Sequence, residues 1–377
     1  MSVPPPLIDL LGTRWTLEAP VVGVAFDGNV AGFGLGDGTL ALAPSDWEGG
    51  PELRPREGGG MEVVPAVSPA PPMTTLSVHE GACLMLAADP NGGFLSGGDD
   101  GRLAHVAADG AVEEMASFPG HWADPVAAGR AGWYACAVGK QVYLLGDNTQ
   151  SLELPSPVTA LAFDGSGRHL AIAHYGGVTI WSIGVESPRQ LTWRGGHLSL
   201  AWSPDGRYLV SGMEENVLHG WRLSDSGDME MGGYAGQPRS LSFSADGGFL
   251  ATSGGERVVC WRFDPPKSDA PPAESGIASK TPVSLVACHP VHPVIAVGYH
   301  NGAVLLCQPG MTDILFVKGS GTGPVSALAW SATGDRLAFG NQGGEAALVS
   351  LPESLFRFAR RTSNANAGNS HTQRGAT

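Results

Sequence analysis

The chain writes the same short unit eight times. Each unit has an apolar strand, a turn with Gly or Asp, a second strand of small apolar residues, a Gly-containing turn, and a third strand often closed by Trp. The clearest copies are Val158 to Phe163 with Leu170 to Ala173 and Val178 to Trp181, then Leu200 to Trp202 with Tyr208 to Ser211 and Val217 to Trp221; Val325 to Trp330 nearly repeats the first. The second strands, such as Leu250-Ala-Thr-Ser-Gly254 and Val294-Ile-Ala-Val-Gly298, are apolar almost without alternation, as a strand buried on both faces is. A period of about 40 residues made only of strands predicts an all-β chain folded as a single β-propeller of four-stranded blades. A two-layer sandwich, which would wet one face of each sheet and alternate more cleanly, ranks second.

The residues that close the first strand, Phe163, Trp202, Phe243, Cys288 and Trp330, follow one another at intervals of 39, 41, 45 and 42. Upstream, Val21 to Phe26, Leu84 to Ala88 and the degraded segment at Val126 to Ala128 head three more copies, so eight blades are expected and seven is the alternative. Arg14-Trp-Thr-Leu17 precedes the first copy where an outer strand belongs, and is expected to complete the last blade and hide the open sheet edges.

Strands ending in Trp181, Trp221 and Trp261, turns such as Ser203-Pro-Asp-Gly206, and the pairs Gly120-His121 and Gly196-His197 make the chain resemble the WD40 repeat family over about residues 10 to 355. That resemblance implies a hydrogen-bonded set of His, Ser or Thr, Asp and Trp in each repeat. No copy here has it complete: His79, Ser96 and Asp100 lack the Trp, while His197, Ser211 and Trp221 lack the Asp. The resemblance also implies a binding face built from the loops leading into each blade and the turns between second and third strands. Mapped onto this chain, the lead-in loops offer Trp122, Trp193, Arg194 and Arg239, with His79, Glu80, His121, His197 and Gln237 beside them. The turns offer His174, Tyr175, Glu214, Glu215, Arg257, Tyr299, His300, Asn341 and Gln342, with Asp99, Asp100 and Glu256 nearby. Aromatics mixed with Arg and carboxylates suit protein contacts.

One propeller uses nearly all of the 377 residues. Residues 1–10 read as an N-terminal extension, 11–358 as the propeller, 43–78 and 264–282 as Pro- and Gly-rich insertions without a packed core, and 359–377 as a disordered tail. A net charge of −14 opposes phosphate-backbone binding, so nucleic acid is not an expected partner. No apolar run reaches the ~20 residues of a membrane helix, and the start does not resemble a secretory signal. Five cysteines, all in strand copies, read as buried small hydrophobes in a reducing cytoplasm.

Catalytic signatures are missing: there is no Gly-x-Ser-x-Gly, His-Glu-x-x-His or phosphate-binding Gly-x-x-x-x-Gly-Lys pattern, and no cofactor or small-molecule ligand is expected. Cys288-His-Pro-Val-His292 packs a thiol and two imidazoles into five residues, but a zinc site needs a second matching pair, so no metal is assigned. The function expected is a non-catalytic scaffold presenting a rigid loop face to a protein partner. The alternative is an enzyme or metal-binding protein using the propeller channel or the Cys/His cluster.

Overall fold

The computed structural model describes residues 5–56, 60–225, 227–263, 271–277 and 280–356. Among them, antiparallel sheets follow one another around a ring, six of four strands and one of six, with a separate two-stranded hairpin. Counted as hydrogen-bonded sheets the ring has seven units, the smaller of the two numbers expected and not eight. The physical reason lies in two 14-residue strands, His169–Ser182 and Arg189–Trp202, which join the fourth and fifth copies into one ladder. Tyr175 pairs with Gly196 and the register shifts between Tyr175 and Gly177, so the ladder runs on through residues without Cβ atoms. Neither copy has lost its strands; they have been welded.

Burial follows strand position. The second strands are mostly buried, wholly so in Phe94–Gly98, Tyr208–Met213 and Ile295–Tyr299. The fourth strand Val112–Ser117 is mostly exposed. Small residues in the second strands are required by how closely the next sheet approaches. A Cβ on Gly212 would sit 1.9 Å from the Pro238 carbonyl oxygen, and one on Gly340 would sit 2.4 Å from Val21 Cγ1.

Side chains in or beside the first strands stitch neighbouring copies together. Thr159 donates to the His197 carbonyl, Ser199 to that of Pro238, Ser240 to that of Val286, and Ser326 to that of Val21. The aromatics that close first strands bond in the opposite direction: Trp202 Nε1 donates to Ala162 O and Trp330 Nε1 to Ala287 O, each at 3.0 Å. Each such bond is worth about 1 kcal/mol net.

Ring closure is as expected from the sequence. Gly12–Thr16 pairs with Glu345–Ser350 in the sheet that also holds Arg336–Asn341 and Val325–Trp330. Arg336 reinforces it from the last copy, donating through Nε to Ser45 O at 2.8 Å and lying 3.3 Å from Asp46 and 3.1 Å from Asp335. Arg336→Ala is expected to lower stability by about 1–2 kcal/mol, read as a urea midpoint shift. Arg222→Ala, which loses only an exposed pair with Asp225, should leave the midpoint in place.

The segments outside the repeat depart from the expectation. Thr74–Ser77, inside the interval read as an insertion, is the fourth strand of the first sheet, paired with Thr39–Pro44. The true insertion carries a hairpin, Glu52–Pro55 with Met61–Val64. It is no bare loop, because Leu53 and Val63 pack on a cluster containing Ile8, Leu11, Leu351 and Phe356. Ile8 and Leu11 belong to a short helix, Leu7–Leu11, so the end of the N-terminal extension is docked under the closing sheet. Ala273–Ser275 likewise supplies a fourth strand. Residues 264–270 and 278–279 of the 264–282 insertion and the whole 359–377 tail lie outside the described residues.

Candidate docking face

The hydrogen-bonded sets that shape the lead-in loops show how one end of the ring is built. In the second copy His79, whose side chain is fully buried, donates from Nδ1 to Asp100 at 3.1 Å and meets Ser96 Oγ through Nε2 at 2.8 Å. Burial pushes the Asp100 carboxyl up, but the N–H groups of Glu80 and Arg102, with His79, outweigh it and hold the group below the usual carboxylate range. Burial is the larger influence on His79 and lowers its pKa. In the fifth copy His197 meets Ser211 Oγ at 2.7 Å and donates to Trp193 O at 3.0 Å.

The sixth copy has no histidine at this place. Tyr234 stands in, its hydroxyl bonded to Thr252 Oγ1 at 2.7 Å and accepting from Trp261 Nε1 at 2.6 Å. In the last copy Lys318, 5% exposed, takes the role, with Nζ 3.1 Å from Glu345 and from Gly302 O. Both substitutes escape a search for Gly-His pairs. What could have found them is a polar residue preceding each copy at the family's histidine position.

His121 is different. The pair Gly120-His121 puts it at the family's histidine position, yet it lies exposed. The rung that carries Ser96, Ser211 or Thr252 in other copies is Cys136 here, paired with Val126, and its thiol turns to Ala137 O. With no hydroxyl to hold it, the imidazole stays outside.

The residues assigned to the face divide. Trp122 is 66% exposed and Tyr175 60%, and Arg194, Glu214, Glu215, Arg239, His300 and Gln342 are exposed as well. Arg239 is tied to Gln237, whose amide reaches Glu214 O, so these three form one patch. Arg257 is half-buried, 3.7 Å from Glu274. Trp193 is half-buried because its indole stacks on the His219 ring at 3.8 Å. Three residues must be taken off the surface. Tyr299 is buried in a hydrophobic cluster. His174 turns inward to Thr179 Oγ1 at 3.0 Å, and Asn341 spends its side chain on Gly343 N, Glu345 N and the Glu345 carboxylate.

The Cys288-to-His292 cluster does not converge on a point. The Cys288 thiol donates to Ser242 O in the neighbouring sheet, while His289 bonds Gly334 O through Nε2 and receives the N–H groups of Val291 and His292 at Nδ1. Burial pushes the Cys288 thiol up to about 12. Among the described residues no group of three His, Cys, Asp or Glu side chains could hold a metal ion.

Comparison with known proteins agrees with this geometry. The family described as WD domain, G-beta repeat matches residues 70–104 and 189–222, which include the His79 and His197 sets. These two stretches match WD40 repeats, carried here on a β-propeller. WD repeat-containing protein 1 of Bos taurus is 35% identical over 85 residues, and that of Rattus norvegicus 34% over 85, in each case 22% of this chain. The chain spans 14% of the length of these curated relatives. Among solved structures, the computationally designed Ika8 protein superposes with a TM-score of 0.67 at 16% identity, over 89% of this chain and 98% of its own. A chain of the Mitotic Checkpoint Complex superposes at 0.57 and 14% identity, over 71% and 88%. At such identities the likeness concerns the fold alone.

Proposed function

We propose that this propeller is a non-catalytic, cytoplasmic docking platform that presents the face around Trp122, Tyr175 and Arg194 to a protein partner. The observation that carries the reading is that Trp122 and Tyr175 are the two most exposed aromatic side chains among the described residues, one on the loop leading into the third copy and the other at the register shift within the strand His169–Ser182. A closed ring holds those loops before a partner arrives, so little ordering entropy is lost on docking. The family match, and the appearance of a related fold in a protein complex, support a binding role. Five unpaired cysteines suit a reducing compartment, and a charge of −14 disfavours nucleic acid and anionic membranes as partners. Among the described residues no helix is long and apolar enough to cross a membrane.

The test is affinity capture from native cell extract with mass spectrometry, comparing wild type with a Tyr175→Ala, Arg194→Ala double variant. The variant is expected to lose a stoichiometric partner while denaturing at the wild-type midpoint. If every captured protein is retained, the face is wrongly placed.

A further inference from the structure

The face has one sector whose chemistry is more specific than the rest. Between the third and fourth copies runs an open groove of about 860 Å³. Phe118 and Tyr143, with ring centroids 4.5 Å apart, are among its lining residues, and Trp122 and Pro157 line it too. Tyr175 stands close by, since its N–H donates to Ser156 Oγ at 2.8 Å, one residue from Pro157. Among the lining residues the formally charged one is Asp124. It is exposed, and its carboxylate has no hydrogen bond or ion pair among the described residues. Lys140 sits on an adjoining turn but does not line the groove.

An indole face open to solvent, beside an unpaired carboxylate in a protein of net charge −14, complements a cation with a flat or apolar body. We infer that this groove takes a basic peptide segment of the partner, with an arginine or lysine side chain laid over Trp122 and its charge directed to Asp124. The inference rests on the docking-face reading and names the chemistry of what docks. Arginine suits the place best, since its guanidinium stacks on an aromatic and pairs with a carboxylate at once.

The probe is a short peptide of alternating Gly and Arg, with its Gly and Glu counterpart as control, titrated into the full chain labelled with ¹⁵N. The readout is the Trp122 indole N–H signal, identified by its disappearance in Trp122→Ala. The arginine peptide is expected to move that signal while the glutamate peptide does not. Asp124→Asn, which keeps the fold-forming backbone and the shape of the side chain, is expected to weaken the titration at least about threefold. If the arginine peptide leaves the Trp122 signal still, or Asp124→Asn titrates like wild type, the inference is overturned. The two readings fail separately. A partner lost by the Tyr175→Ala, Arg194→Ala variant alongside an unmoved Trp122 signal leaves the face standing and removes the basic segment. A moved signal with every partner retained keeps the groove chemistry and removes the wider face.

Discussion

Replacing Trp221 with alanine is expected to remove about 3–5 kcal/mol of stability, enough to unfold a large fraction of a domain of ordinary stability at 37 °C. Trp221 ends a third strand and is 4% exposed. Its neighbours in the cluster, Ala171, Val178, Ile180 and Leu191, come from the preceding copy, and Leu209 comes from its own. The His219 ring meets it edge-on at 4.6 Å and His197 lies 5.6 Å away. Truncation therefore opens a cavity at the seam between two copies, where the joined ladder limits relaxation. Urea denaturation followed by circular dichroism measures the loss. Trp122→Ala serves as the contrast, since an exposed indole contributes little to folding and its variant should melt with the wild type. Equal midpoints for Trp221→Ala and wild type would refute packing at the seam as a source of stability.

Acid is expected to destabilise the propeller well before its carboxylates titrate. Burial pulls His219 and His289 down to about 4, and lowers His79 and His197 as well. In the unfolded chain these imidazoles titrate near 6.5. As pH falls below about 6.5 the unfolded state takes up protons that the folded state refuses, so stability is full above that value and drains away as pH falls through about 4. For His219 alone the loss by pH 4.5 is about 2 kcal/mol.

His219 is the informative position. Its side chain is fully buried against Trp193 and Trp221, and neither ring nitrogen has a hydrogen-bond partner among the described residues; the Asp228 carboxylate lies beyond at 3.5 Å. His219→Phe keeps a ring in the stack and removes two unsatisfied polar atoms, so the variant is expected to equal or exceed wild type at pH 7.5. Its stability should fall less steeply between pH 6.5 and 4.5, as read from urea midpoints across that range. A pH slope identical to wild type would show that His219 is not held neutral.

Most of the architecture was legible because it rests on local periodicity. Uninterrupted runs such as Leu250 to Thr252 and Val294 to Val297 can satisfy two buried faces only between neighbouring sheets, and Arg14 to Leu17 had no other sheet to join. The number of separate sheets was not legible, since welding depends on one bridge between Tyr175 and Gly196, residues 21 apart in sequence that meet only once both turns are folded. The exposure of Trp122 and Tyr175 was anticipated, whereas the burial of His174, Tyr299 and Asn341 was not. A turn position says where the backbone goes. Whether the side chain points to solvent depends on partners such as Thr179 and Glu345, which sequence spacing does not place. Lys318 and Tyr234 were missed for a related reason: a bond to a hydroxyl or carboxylate can be made by several donor types.

The hydroxyl bonds between copies have a consequence for how such a chain could grow. Thr159 and Ser326 stand four residues before the aromatic that closes their first strands, Ser199 and Ser240 three before theirs, and each speaks to a main-chain carbonyl, an acceptor every residue possesses. A duplicated copy would carry its own fastening to whatever unit came next, with no compensating change in that neighbour. Lengthening by tandem gene duplication is then chemically inexpensive at those four seams, and pairing Gly12–Thr16 with the last copy becomes the step that selects a permissible size.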